Sequence, residues 1–155
     1  MSLAERSRRL ENRLYAGIRH RRAAEAARAA PADATLAGLD GHRHCLVVTY
    51  RRDGRPVATP VWFALDGDRL VFESDADSGK VKRMRRDPRV RVAPCTLRGN
   101  PLGPPVQARA RLLDADETER AERALEGKYG RLRRVVAGMR PAPAAGLAYV
   151  EVKRD

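Results

Sequence analysis

Cysteine, aromatic side chains and long apolar runs are all scarce in this 155-residue chain. Its two cysteines, Cys45 and Cys95, form no CxxC pair, which excludes a disulfide framework and marks them as reduced thiols in apolar strands. Aromatic residues make up 5% of the chain, too few for the stacking platforms that bind single-stranded nucleic acid. No run of apolar residues is long enough to span a bilayer. The basic N-terminus also lacks the apolar stretch and small-residue cleavage site of a secretory signal. The expected location is therefore the cytoplasm, with no membrane partner. GxSxG, HExxH, Walker and Rossmann GxGxxG motifs are missing, which removes the main supports for hydrolase and nucleotide-triphosphatase readings. The group His42-Arg43-His44-Cys45 places two imidazoles on one strand face. With only the distant Cys95 as a further donor, it falls short of the roughly four ligands zinc takes, and no metal site is expected.

What is abundant is positive charge. Thirty-two Lys and Arg oppose twenty Asp and Glu, for a net charge of +12, which favours anionic partners. Twenty-eight of the basic residues are Arg and only four are Lys, so two of the rare lysines at positions 80 and 82 stand out. The length suits one domain, large enough to hide roughly 70% of its unfolded surface without staples.

Along the chain, Leu3, Leu10, Leu14 and Ile18 lie on a helical spacing and lead into an Ala-rich run ending at Pro31, so residues 1–35 read as a helical extension and 36–155 as the main domain. Packing on the domain is the expected use of its narrow apolar stripe. From residue 43 the period becomes extended. Cys45 to Tyr50, an Asp53-Gly54 turn and Val57 to Ala64 form a hairpin, and Asp66-Gly67-Asp68 joins it to Leu70 to Ser74 as a three-stranded meander. Ser78 caps a helix from Gly79 to about Arg86 that Asp87-Pro88 stops. Strands follow over Arg89 to Cys95 and Val106 to Leu113, then one or two helices from Asp116 to about Val136 with Leu125, Tyr129 and Leu132 facing inward, then a final strand from Leu147 to Val152. The sum is a mainly β (α+β) domain, a six-stranded antiparallel barrel with short flanking helices, with an open sheet as the alternative.

No acid–base pair stands out. Asp75, Asp77, Glu117 and Glu119 occupy turn or helix-start positions that solvation explains, and no catalytic residue is assigned. The informative segment is Ser78-Gly79-Lys80-Val81-Lys82-Arg83. A helix start presents unpaired N–H groups, Ser78 adds a hydroxyl, Gly79 permits close approach and Lys80 or Lys82 supplies charge, so a phosphate can settle there. A solvated basic helix face would carry the same residues.

That segment, with Asp53 to Phe63, the Asp-Gly-Asp turn, Asp87-Pro88-Arg89-Val90 and Ala93-Pro94-Cys95, resembles the pyridoxamine-phosphate-oxidase-like split barrels. More narrowly it resembles the actinobacterial branch that uses the deazaflavin coenzyme F420. The resemblance spans residues 36 to 153. It implies a homodimeric split barrel with a flavin-type ring in a groove between subunits. On this chain it implies that Lys80 and Lys82 hold the cofactor phosphate beside Ser78, that Thr59, Pro60, Val61 and Trp62 lie along the ring, that Ser74 ends the third strand at the site, and that Arg98 reaches the groove or the cofactor's tail. The implied activity is hydride transfer between coenzyme F420, or FMN as the alternative, and a small unsaturated substrate, a chemistry in which the ring carries the electrons and few catalytic side chains are needed. Tyr50 and Arg109 are candidate pocket donors. Pro105 stands where relatives often place an aromatic. Two other classes compete: a basic nucleic-acid-binding module, disfavoured by the absence of RRM, KH or zinc-finger signatures, and a barrel that binds a flavin or tetrapyrrole without turnover.

Overall fold

The computed structural model describes residues 21–139 and 142–155. The leading part of the expected N-terminal helix, with Leu3, Leu10, Leu14 and Ile18, lies outside the described residues. The strands are β1 (His44–Tyr50), β2 (Pro56–Trp62), β3 (Ala64–Asp66), β4 (Arg69–Asp75), β5 (Arg89–Cys95), β6 (Val106–Leu112) and β7 (Leu147–Lys153). The helices are α1 (Glu25–Arg28), α2 (Gly79–Arg86), α3 (Ala115–Tyr129) and α4 (Arg131–Gly138).

One antiparallel sheet runs in the order β2-β1-β5-β6-β7-β4-β3. Its two edge strands, β2 and β3, are separated in the chain by a single residue, Phe63. A chain that leaves one edge and at once joins the opposite edge forces the sheet to curl round on itself, as strands that switch sheets do at corners. The expected split barrel is thus present, with one correction. The returning strand over 57–64 is not continuous: its first part pairs with β1 and its last part with β4, so the six expected strands are seven and the meander does not form. Gly54 and Gly67 supply the positive φ of 82° and 63° that the two tight turns need.

Alternation along the strands builds two faces. Cys45 and Val47 point into the barrel with Val61, Phe63, Leu70, Phe72, Val92, Val150 and Val152. Leu46 and Val48 point outward, yet they are buried, because Ala23 and Ala26 pack over them with Ala58 and Ala93. That cover explains why β1 reads as an unbroken apolar run, as strands buried on both faces do. Arg91 fastens the cover, its Nη1 donating to the carbonyls of Ala27 and Ala29 at 3.0 and 2.9 Å. The N–H of Ala32 donates to Pro105 O at 2.8 Å, so the backbone of Pro105 is engaged by the N-terminal segment.

Helix α2 crosses one end of the barrel and plugs it with Val81 and Met84. Helix α3 packs Ala121 and Leu125 against Ala64 and Val71. Leu132 does not face inward as expected: α4 buries none of its residues, and Leu132 is 45% exposed. The helices break at Gly130, and α4 is held instead by Arg133, which donates to Glu73 and Glu122. Among the described residues no helix is long and apolar enough to cross a membrane.

Candidate functional site

The start of α2 is built as its sequence dictates. Ser78 is in extended conformation and its Oγ accepts from Val81 N at 3.4 Å, the standard N-cap contact. Lys80 Nζ donates to Ser74 Oγ at 2.8 Å, and Ser74 Oγ lies 3.0 Å from Ser78 Oγ. Two hydroxyls carry two protons, and one of them is used between the serines, so the other remains to be donated to an incoming oxyanion. The Gly79 N–H, in the first turn, has no acceptor within the helix.

A residue the sequence reading passed over completes this cluster. Arg83 folds back along the helix: a Cβ placed on Gly79 would stand 2.9 Å from Arg83 Nη1, so glycine is what leaves room for the guanidinium there. Arg83 Nε donates to Thr49 Oγ1 at 2.7 Å, and Thr49, fully buried at the end of β1, lies 3.5 Å from Val57 O. Helical geometry explains the outcome. Residues 80 and 83 are neighbours on a helix surface, whereas 80 and 82 point in nearly opposite directions. Lys82 is exposed on the helix; its backbone N–H donates to Ser78 O at 3.1 Å, but its ammonium takes no part in the hydrogen bonds that join Ser74, Ser78 and Lys80. Asp75 and Asp77 precede the cap, so the local field is a balance, but the same barrel end also carries Arg85 and Arg86, whose guanidiniums donate to Ala76 O and Tyr50 O. The cluster therefore offers a hydroxyl proton, a helix N-terminus and two cations at one point, an arrangement suited to an ionised phosphate.

The expected ring-binding strand divides by alternation. Thr59 and Val61 share the inward face of β2, and Pro60 and Trp62 the outward face. Trp62 stacks on Tyr129 with ring centroids 4.8 Å apart and meets His44 edge-on at 6.0 Å. Burial, assisted by Arg43 and Lys128, lowers the His44 pKa. Arg98 is exposed in the loop after β5, next to Gly99, whose backbone lies over Leu46, Ala23 and Pro60. β5 is antiparallel to β1, with Cys95 opposite His44, so Arg98 stands at the other end of the strands from Lys80. The structure thus brings Ser74, Ser78 and Lys80 together, lays Thr59 to Trp62 along one edge strand, and leaves Lys82 and Arg98 apart from the cluster.

The other candidates are occupied structurally. The Tyr50 ring lies under the Arg89 guanidinium, and Arg109 is exposed near Asp155. Burial raises the thiol of Cys45, and that of Cys95 to about 12, so neither is a ready nucleophile.

Solved structures share this fold at low identity. An F420 reductase is 22% identical, with 80% of this chain and 95% of that one covered at a TM-score of 0.53. A FAD-binding protein from Mesorhizobium loti is 20% identical, with 76% and 84% covered at 0.56. The heme storage protein HutZ from Vibrio cholerae is 10% identical, with 76% and 84% covered at 0.56. A comparison with curated proteins gave no match. The family model described as pyridoxamine 5'-phosphate oxidase matches residues 31–153, which takes in the whole barrel, α2 and the Ser74–Ser78–Lys80 cluster, and the chain belongs to that family.

Proposed function

We propose that the protein is an oxidoreductase that binds a flavin-type ring, coenzyme F420 in the first place and FMN as the alternative, and passes hydride between that ring and a small unsaturated organic substrate. One observation carries this reading: Lys80, Ser74 and Ser78 are joined at the start of α2, with Arg83 lying against Gly79, inside a barrel of this family. The donor set fits a cofactor with an ionised phosphate, because every group in it either donates a hydrogen bond or carries positive charge. When bound, the ring supplies or accepts the hydride.

The chain's own residues have positioning tasks. Lys80 and the spare serine hydroxyl hold the tail, and Thr49 holds Arg83 in place behind them. The edge strand β2, from Thr59 to Trp62, offers its backbone and one flat aromatic face to the ring. A net charge of +12 draws polyanions from a distance, which favours the more highly charged deazaflavin cofactor over FMN. A second copy of the chain completes the groove. Leu97 and Leu102, 68% and 53% exposed on either side of the Arg98 loop, supply apolar surface for such a contact.

The test is a titration of purified protein with each cofactor, read through Trp62, the only tryptophan. The expected result is quenching with one site per chain that survives moderate salt. Failure of both cofactors to bind would overturn the reading, and a steep loss of binding with salt would favour a non-specific polyanion surface.

A further inference from the structure

We propose that the groove between the Asp40–Arg43 turn, β3 and helices α3 and α4 is a second ligand site, taking an organic monoanion with an apolar body. The groove has a volume of about 630 Å3, within the roughly 300–1,000 Å3 of small-molecule sites. It lies near the start of β1, away from the Lys80 cluster at that strand's end, so this inference does not depend on the cofactor reading.

Its lining has two characters. Ala64 and Leu65 of β3, Ala124 of α3 and Leu132 of α4 provide an apolar surface, while Arg43 and Lys128 provide cations. Arg43 is exposed and has no ion-pair partner among the described residues. Lys128 Nζ donates to His42 O at 2.6 Å and sits 3.5 Å from the centroid of the Phe63 ring. One of its protons is thus fixed on a carbonyl and the ring face engages a second, which leaves the third for an acceptor. An ammonium held against a ring and partly stripped of water gains more from an arriving anion than a solvated one does. Burial also lowers the Lys128 pKa. Asp40 lines the same groove, so two cations face one carboxylate. That balance suits a single negative charge, a carboxylate or sulfonate, and disfavours a phosphate dianion.

The apolar wall is not a loose feature. Arg133 clamps α4 to β4 and α3 through Glu73 and Glu122, which fixes Leu132 at the groove although α4 has no buried apolar residue. Tyr129 lines the groove and stacks on Trp62, so occupancy is readable from the single tryptophan.

The probe is 8-anilinonaphthalene-1-sulfonate, titrated into the full chain and followed by its own emission and by energy transfer from Trp62. The expected result is one site per chain. Arg43→Gln should weaken it about five-fold, the worth of one ion pair of about 1 kcal/mol, and Leu132→Glu should abolish it. Leu102→Glu and Lys80→Ala should leave it unchanged. The uncharged N-phenyl-1-naphthylamine should bind more weakly than the sulfonate. The proposal is overturned if no site is seen, if the uncharged probe binds equally well, or if affinity follows Lys80 instead of Arg43 and Leu132.

Discussion

The hydroxyl of Tyr129 mends the break at Phe63. It accepts a hydrogen bond from Phe63 N at 2.9 Å and lies 2.6 Å from both Phe63 O and Arg43 O, sharing one proton between the two carbonyls. Phe63 is fully buried at the point where the chain leaves β2 for β3, so no strand partner is available to its backbone groups. A helix 66 residues away in sequence supplies the missing partner. Tyr129→Phe keeps the ring stacked on Trp62 and removes only the hydroxyl. The expected cost is about 1–3 kcal/mol, the penalty of burying an unpaired backbone group. Urea denaturation followed at Trp62 measures it, and an unchanged midpoint would show that the hydroxyl is not needed there.

The same tyrosine should make the fold sensitive to alkali. Burial pushes its pKa up to about 12, although the Phe63 hydrogen bond opposes the shift. The unfolded chain ionises its tyrosines near 10, so between about pH 10 and 12 the unfolded state has lost a proton that the folded state keeps, and stability falls as pH rises. Tyr149 is also raised, by burial and by Glu122, and adds to the effect. In Tyr129→Phe the gap from the wild type should narrow between about pH 10 and about pH 12. Parallel stability curves across that interval would assign the alkaline loss to other groups.

Much of this architecture is written locally. The Ser78 cap, the Asp-Gly turns and the Asp87-Pro88 stop act within a few residues of themselves, and each falls where the sequence places it. The division at Phe63 is not local. Val57 to Ala64 carries no turn signal at Phe63, its one strand-disfavouring proline, Pro60, lying three residues earlier, and only closure of the sheet, a property of all seven strands, requires the chain to switch edges there. Leu132 misleads for a related reason: it continues the apolar spacing of α3 past Gly130, where a new helix begins with a different orientation. Arg83 was within reach, because Lys80 and Arg83 stand three apart on a segment that the sequence already marks as helical, and Thr49 is a lone hydroxyl at an inward position of an apolar strand. Comparing charges by their nearness in sequence rather than by helix face pairs Lys80 with Lys82 instead.

Helix α4 should depend on one side chain. Arg133 is 11% exposed, and Glu73 and Glu122 are 28% and 42% exposed. Arg133→Met should cost about 1–2 kcal/mol, less than the roughly 3–5 kcal/mol of fully buried pairs because both carboxylates regain water. Amide exchange should accelerate over residues 131–138 before it does in the barrel. Arg133 also holds the Glu122 carboxyl below the usual glutamate range, with Tyr149 assisting. That contribution is present above the ordinary glutamate pKa and disappears as pH falls through the lowered folded value, so the variant should lose less stability on acidification than the wild type. Uniform exchange across α4 and the barrel would mean that α4 is held by something other than this clamp.

At the start of α2, the geometry predicts unequal roles for two lysines that are near neighbours in sequence. Lys80→Ala removes a charge-assisted donor from the serine cluster and should weaken binding of the phosphate-bearing cofactor about ten-fold or more, in line with the roughly 1.5–3 kcal/mol of such bonds. Lys82→Ala removes only an exposed charge and should cost about two-fold, with the difference vanishing at high salt. Gly79→Ala separates binding from folding. Its new Cβ meets the tip of the Arg83 side chain at 2.9 Å, which a flexible guanidinium can yield to, and at this first helical position alanine gains a part of the roughly 1 kcal/mol by which it outdoes glycine in a helix interior. Stability should therefore hold or rise while cofactor affinity falls, because Arg83 is displaced from the cradle. If Lys82→Ala matched Lys80→Ala in effect, or if Gly79→Ala bound the cofactor as tightly as the wild type, the phosphate would have to lie elsewhere on the barrel.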